Sequence, residues 1–208
     1  MPPPRPRKNG LDAGRGTMSL GKRILLRMFG RPKGLLGRLG GVIMARTNRK
    51  FAEEIVAFLN VDASERILEV GFGPGVGIEL LARAAPEGTV AGIDPSEEMV
   101  AQAAARNAAA IGTGAVVLRY GAVARMPFED EAFDTALAIN SLQVWPDAAA
   151  GLREIRRVLR AGGRIALAFT PYSGQAKAGL AELLASAGFE DAHLVDLAHG
   201  FCALARKP

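Results

Sequence analysis

Short apolar runs and longer stretches of helical apolar spacing alternate along most of this chain. Runs near residues 66–70, 89–93, 115–120, 133–139 and 163–169 read as strands, and stretches near 75–85, 96–110, 147–159 and 175–187 read as helices. The strands are apolar at successive positions, so both of their faces are buried. With helices between them, they predict an α/β fold: a parallel sheet covered on both sides. Two final runs, near 192–197 and 201–206, are separated only by Ala198-His199-Gly200. That gap is too short for a parallel crossover, so the last strand is expected to run antiparallel. Upstream, residues 47–59 predict a helix burying Phe51, Ile55, Val56, Phe58 and Leu59 before a turn at Asn60-Val61-Asp62.

The N-terminal quarter breaks the pattern. Residues 1–17 are rich in Pro, Gly and Arg with almost nothing to bury, and read as a disordered basic tail; Met18 offers an alternative start. Residues 18–46 read as a basic amphipathic helical extension. Leu20, Ile24, Leu25 and Met28 fall at helical spacing with Lys22, Arg23 and Arg27 largely off the stripe, and a second, glycine-interrupted stretch carries Leu35, Leu36, Leu39, Val42 and Ile43. Residues 47–208 form the main domain.

Charge follows the same division. The net charge is +5, but residues 1–50 hold thirteen bases against one acid, Asp12, for +12, and the remainder holds thirteen bases against twenty acids, for −7. The basic character therefore belongs to the extension. At 208 residues the chain suits one well-buried domain and a modest appendage. A single cysteine, Cys202, excludes an internal disulfide framework and a multi-cysteine metal site; it reads as a small core residue in a reducing compartment. No secretory signal or bilayer-spanning apolar stretch stands out, so a cytoplasmic location is expected, in a bacterium if the abundance of Ala, Gly and Arg reflects GC-rich coding.

The strand near 66–70 runs into Gly71-Phe72-Gly73-Pro74-Gly75-Val76-Gly77, a turn whose alternating glycines let backbone approach a nucleotide-like ligand. Dinucleotide-binding turns require G-x-G-x-x-G, and here the third glycine's place holds Val76 or Ile78. Glu69, two residues before Gly71, completes E-x-G-x-G-x-G instead. One βα unit later, Ile93-Asp94-Pro95-Ser96 ends a strand in an acid. Asp94 can accept hydrogen bonds from two ribose hydroxyls or cap the helix that Pro95 and Ser96 start, and the two roles are compatible.

These motifs resemble motif I and the ribose acid of the class I S-adenosylmethionine-dependent methyltransferases. Gly121-Ala122-Val123-Ala124-Arg125-Met126-Pro127-Phe128 with Phe133-Asp134 resembles the G-D-A-x-x-L-P-F…F-D segment of the subfamily acting on small molecules and lipids. Residues 152–164 resemble its L-x-E-x-x-R-V-L-K-P-G-G signature, whose glycines are expected to end the helix and turn into the next strand. The resemblance covers roughly residues 47–208. It implies a Rossmann-like, doubly wound seven-stranded sheet, mostly parallel with an antiparallel last strand.

It also implies S-adenosylmethionine as cofactor, S-adenosylhomocysteine as product, and no metal. Gly71, Phe72, Gly73 and Gly75 would contact the methionine moiety, with Glu69 holding its ammonium directly or through water. Asp94 and Pro95 would border the ribose, and Met99 would wall the adenine or simply serve the helix core. Ala122 stands where an Asp commonly receives the adenine amino group, leaving backbone at Val123 to read it. Asn140 follows the fourth strand at the cofactor and substrate pockets. No catalytic residue is identified; Asn140, Gln143 and Tyr172 are the candidates, the last facing substrate or serving a packing role. Trp145 lines the pocket or packs the next helix. His193 and His199 are not read as general bases, His199 because an extra strand is expected to separate it from the cofactor.

A sulfonium donor is already activated, so holding a nucleophile in line suffices, and a base is needed only for a protonated acceptor. The expected function is methyl transfer to a small-molecule or lipid-like acceptor. A non-catalytic cofactor-binding module and an RNA methyltransferase using the basic arm are the rivals. Nucleic acid is disfavoured by the lack of an aromatic platform or appended recognition domain. Residues 18–46 would act as a lid, as a peripheral membrane contact, or as a solvated extension. The sequence leaves the oligomeric state open.

Overall fold

A computed structural model describes residues 49–208. The tail at 1–17 and the extension at 18–46 lie outside the described residues.

Helix α1 covers residues 49–59. The order then runs β1 (Arg66–Val70), α2 (Val76–Ala84), β2 (Thr89–Asp94), α3 (Glu97–Arg106), α4 (Ala108–Gly112), β3 (Val116–Tyr120), β4 (Phe133–Ile139), α5 (Ala148–Val158), β5 (Leu159–Phe169), α6 (Leu180–Ser186), β6 (Glu190–Leu197) and β7 (Gly200–Arg206). Single 3₁₀ turns at Leu142–Val144 and Pro171–Ser173 follow β4 and β5. The seven strands form one sheet in the order β3-β2-β1-β4-β5-β7-β6. Strands β1 to β5 pair in parallel, and β7 is antiparallel to both β5 and β6, as the short final connection requires.

Alternation along the strands divides the core into two layers. Leu68, Val70, Ile93, Ala136, Ile165 and Leu167 face Leu152, Ile155, Leu180 and Leu184 of α5 and α6. Ile67, Val90, Leu137, Ala166 and Cys202 face Phe51, Ile55, Ile78, Leu81 and Ala103 of α1, α2 and α3. Cys202 is fully buried, and burial pushes its thiol up to about 12. Phe58 departs from expectation. It is 38% exposed, because it lies about a quarter turn from the centre of the buried stripe formed by Phe51, Ala52, Ile55, Val56 and Leu59.

Three boundaries also differ. The helix expected over 96–110 is interrupted at Asn107, whose side chain turns back to Ala103 and Gly75 carbonyls. The helix expected from 175 starts at Leu180, because Gly174 and Gly179 take positive φ of 74° and 81°. The glycines at 162 and 163 do not end α5. That helix stops at Val158, with Leu159 already extended and pairing with Phe133, and the glycines sit in a register shift inside β5. There Gly162 donates to the Lys207 carbonyl and Gly163 accepts from Lys207.

Because α2 and α3 lie on one face and α5 and α6 on the other, the order reverses between β1 and β4. The crevice at the carboxyl ends of these strands is where such sheets bind ligands.

Candidate active site

Beyond Val70 the chain passes through Gly71, Gly73 and Gly75, all at positive φ, into α2. The Gly71 amide donates to the Ile93 carbonyl at 2.8 Å, tying the turn to β2. Gly75 is fixed by two demands: φ is 78°, and an added Cβ would stand 2.6 Å from Ala103 Cβ and 2.8 Å from Ala103 Cα. Helix α3 fastens the turn further. Asn107 Nδ2 donates to the Gly75 carbonyl at 3.1 Å, and Arg106 Nε to the Pro74 carbonyl at 2.9 Å. Phe72 turns its buried ring into the core over Gly92, so it offers the turn only its backbone.

Two buried carboxyl groups lie beneath this turn. Asp94 Oδ2 accepts the Gly73 amide and Oδ1 the Ser96 amide, each at 2.9 Å. Burial raises the Asp94 pKa and these two donors oppose the rise. Each oxygen keeps further acceptor capacity. Asp94 thus fixes the glycine turn and the start of α3 together, while Ser96 itself caps that helix by accepting from Met99 N at 3.4 Å. Glu69 is 3% exposed, and its Oε2 has no hydrogen-bond partner among the described residues. Burial, with the charge of Asp94 adding to it, pushes its pKa up to about 8 against the pull of the Ile78 amide. Gly77 makes room for this group, since a Cβ there would come 2.2 Å from Glu69 Oε1. A buried carboxyl with an unmatched oxygen is costly alone and suited to a cationic partner.

Pro95 is exposed and Met99 is buried at 2% exposure, as a core residue of α3. Past β3, Ala122 is exposed and Val123 packs beneath it against the α5 layer. The loop that follows is clamped from α5. Glu154 Oε1 accepts the Met126 amide at 2.8 Å, and Arg157 donates to the Phe128 and Met126 carbonyls at 2.9 and 3.2 Å. Arg157's hydrogen bond and charge hold Glu154 below the ordinary carboxylate range, opposed by partial burial.

Over β4 and β5 the materials change. Asn140 takes a left-handed conformation, φ 49°, and its Oδ1 accepts from Thr170 N at 2.9 Å and Thr170 Oγ1 at 3.2 Å, joining the two strand ends. Gln143 donates to the Asn140 carbonyl at 2.9 Å. Buried Ser141 donates to the Val70 carbonyl at 2.8 Å and accepts from Trp145 Nε1 at 3.1 Å. Trp145 lies against Gly151 of α5, which is the packing role. Gln143 and Val144 are exposed, and Tyr172 is 81% exposed on the turn after β5.

A methyltransferase-domain family model matches residues 68–167, from the first strand through the fifth. The uncharacterized methyltransferase YdaC of Bacillus subtilis is 29% identical over 182 residues, covering 82% of this chain and 98% of the relative. The chain belongs to the class I S-adenosylmethionine-dependent methyltransferases. The demethylmenaquinone methyltransferase of Geobacillus kaustophilus is 33% identical over 138 residues, 66% of this chain and 58% of that relative. In fold, a SAM-dependent methyltransferase from Aquifex aeolicus superposes with a TM-score of 0.69, at 20% identity over 76% of this chain and 89% of that one.

In this methyltransferase several residues that shape the crevice had no role assigned from the sequence. Ser141, Asn107 and Glu154 with Arg157 are buried or half-buried polar groups that tie backbone to backbone. The E-x-x-R spacing of Glu154 and Arg157 was the available signal, since it puts both on one helix face; Ser141 and Asn107 carried none. No helix among the described residues is long and apolar enough to cross a membrane.

Proposed function

We propose that this methyltransferase transfers a methyl group from S-adenosylmethionine to a small, uncharged acceptor with an apolar or lipid-like body, in the cytoplasm. The observation that carries the cofactor half is the pair of buried carboxyls, Glu69 with its orphaned oxygen and Asp94 with spare acceptor sites, under a turn of positive-φ glycines. These residues fit the group. Glu69 would meet the ammonium of the methionine moiety, Asp94 the ribose hydroxyls, and backbone at Gly71, Gly73 and Gly75 the chain between them. Bound there, the sulfonium supplies an activated methyl, and the product is S-adenosylhomocysteine. The exposed backbone around Ala122 and Val123 would border the adenine without a side-chain acid.

The acceptor half is supported by its chemistry. Asn140, Gln143, Val144, Thr170 and Tyr172 at the ends of β4 and β5 carry no formal charge, and the similar enzyme from Geobacillus kaustophilus is named for a quinone. The protein's own contribution is to orient the acceptor and exclude water. The basic extension at 18–46 would then cover the acceptor as a lid or hold the enzyme at an anionic lipid surface.

Calorimetry with S-adenosylmethionine and S-adenosylhomocysteine, followed by a pooled-metabolite assay with labelled donor, tests both halves. Binding and label transfer into an apolar neutral compound are expected; absence of binding by either nucleoside would sink the reading. Replacing Lys22, Arg23 and Arg27 by Glu in the full chain is expected to weaken binding to anionic liposomes if the lipid-surface role holds. A lid would instead show as a raised acceptor KM.

A further inference from the structure

We propose that His199, held by Glu54, is the general base of this enzyme and that its acceptor is therefore a hydroxyl compound with an apolar body. The inference rests on the methyl-transfer reading above and names the acceptor atom.

Geometry carries it. Glu54 of α1 takes both amides of the β6–β7 turn, Ala198 N at 2.6 Å and His199 N at 3.1 Å, and its Oε2 lies 2.8 Å from His199 Nδ1. The donors around this carboxylate hold its pKa low: burial raises it, but the His199 ring and the two amides win. An ionised carboxylate only accepts, so Nδ1 carries the hydrogen, and in the neutral ring Nε2 then keeps its lone pair. Nε2 has no hydrogen-bond partner among the described residues, and the side chain is 54% exposed. Carboxylate, imidazole and free Nε2 are the arrangement in which a base is oriented and its protonated form stabilised.

The position is on the acceptor side. β6 runs with β1 to β5, so its turn into β7 lies at the carboxyl end of the sheet. Strands β4 and β5 stand between β1 and β7, so His199 is set apart from the glycine turn as the sequence suggested and borders the acceptor side instead: β7 itself pairs with β5, and Gly200 lies so close that a Cβ would stand 2.2 Å from the Phe169 carbonyl oxygen and 2.9 Å from the Phe51 ring. Thr170, the next residue, reaches Asn140 at the end of β4. Exposed Tyr172 is two residues further on. The other charged groups nearby, Lys177 and Asp196, pair with each other and leave Glu54 as the hydrogen-bond partner of His199.

The proton balance is simple. The acceptor's O–H proton moves to His199 Nε2, a C–O bond forms to the methyl carbon, the S–C electron pair stays on sulfur, and the imidazolium returns its proton to water. An acceptor arriving as a free amine would need no such base.

The full chain contains two histidines, His193 and His199, so long-range ¹H–¹⁵N spectra resolve them. With S-adenosylhomocysteine present, titration of 2-naphthol is expected to shift His199 Nε2 and leave His193 unmoved. His199→Gln keeps the backbone clamp. It is expected to lower kcat for methylation of 2-naphthol by ~10²–10⁴-fold and to abolish the acid limb of the pH profile, with nucleoside affinity and melting temperature unchanged. Glu54→Gln is expected to lower kcat less and to move the acid limb. Naphthol that fails to bind, that leaves Nε2 unmoved, or that is methylated equally fast by His199→Gln overturns the proposal. Failure to bind S-adenosylhomocysteine instead overturns the methyl-transfer reading beneath it.

Discussion

Above β1 and β2 the crevice is built of backbone and buried carboxyl, and each part is fixed by several others. Above β4, β5 and β7 it presents exposed side chains on short turns over a buried layer of Ser141 and Thr170. On the first side Gly75, Ala103, Asn107 and Pro74 leave no free volume, and Asp94 is held by amides from two loops. On the second, Val144 and Tyr172 are 49% and 81% exposed and little packs against them. Under the proposed function, the difference separates a half that would recognise one invariant ligand from a half free to change its substrate. It also orders the expected effects of substitution.

The largest effect is expected at Gly75. Gly75→Ala combines a positive φ with a clash against the backbone of α3, which cannot yield as a flexible side chain would. A loss of roughly 2–4 kcal/mol in folding stability is expected from these two causes together, read by chemical denaturation. Unchanged stability would mean that the turn is loose and the contrast between the halves false.

Asp94→Asn comes next. Its amide nitrogen must face either the Gly73 or the Ser96 amide, both donors, so one contact turns repulsive while the charge toward the ligand is lost. The dissociation constant for S-adenosylmethionine is expected to rise by ~10–100-fold, corresponding to about 1.5–3 kcal/mol. Glu69→Gln acts through pH. The native carboxyl titrates at about 8, far above its ordinary value, so the stability that its protonated form contributes is full in acid and is lost as pH rises through 8. The free protein is therefore expected to lose stability between about pH 4.5 and 8, and Glu69→Gln to flatten that slope. Binding a nucleoside with a cationic amine draws the carboxyl to its charged form, so calorimetry near pH 7 in buffers of different ionisation enthalpy should register proton release in the wild type and less in the variant.

The first half was also the more legible in sequence. The glycine alternation, Glu69 and Asp94 could be placed because a strand, a tight turn and a helix start leave one arrangement open to them. The sheet followed from two-sided apolar runs and from a three-residue gap before the last strand. What failed to show depends on long-range contact. Asn107 breaks a helix because the Gly75 carbonyl lies across from it. Gly162 and Gly163 serve a strand irregularity set by Lys207, not the helix that precedes them. His199 and Glu54, 145 residues apart, meet only when α1 packs beside the final hairpin. Local pattern carries no trace of such pairings.

Ala122→Asp sits between the halves. The position is exposed, so a new carboxylate there is expected to tighten S-adenosylmethionine binding only several-fold, near the lower end of what a charged hydrogen bond supplies.

The smallest effect on folding and cofactor is expected at Tyr172. With 81% of its surface exposed and no ring contact or hydrogen bond to its phenol among the described residues, Tyr172→Ala removes almost nothing from the fold. Stability should change by no more than about 0.5 kcal/mol, and nucleoside affinity should stay as it is. If Tyr172 borders the acceptor, the same variant raises KM for 2-naphthol while kcat at saturation is largely kept, because the ring would contribute binding common to ground and transition states. A drop in nucleoside affinity would instead mean that the turn after β5 reaches across the crevice, and that the two halves are one continuous surface.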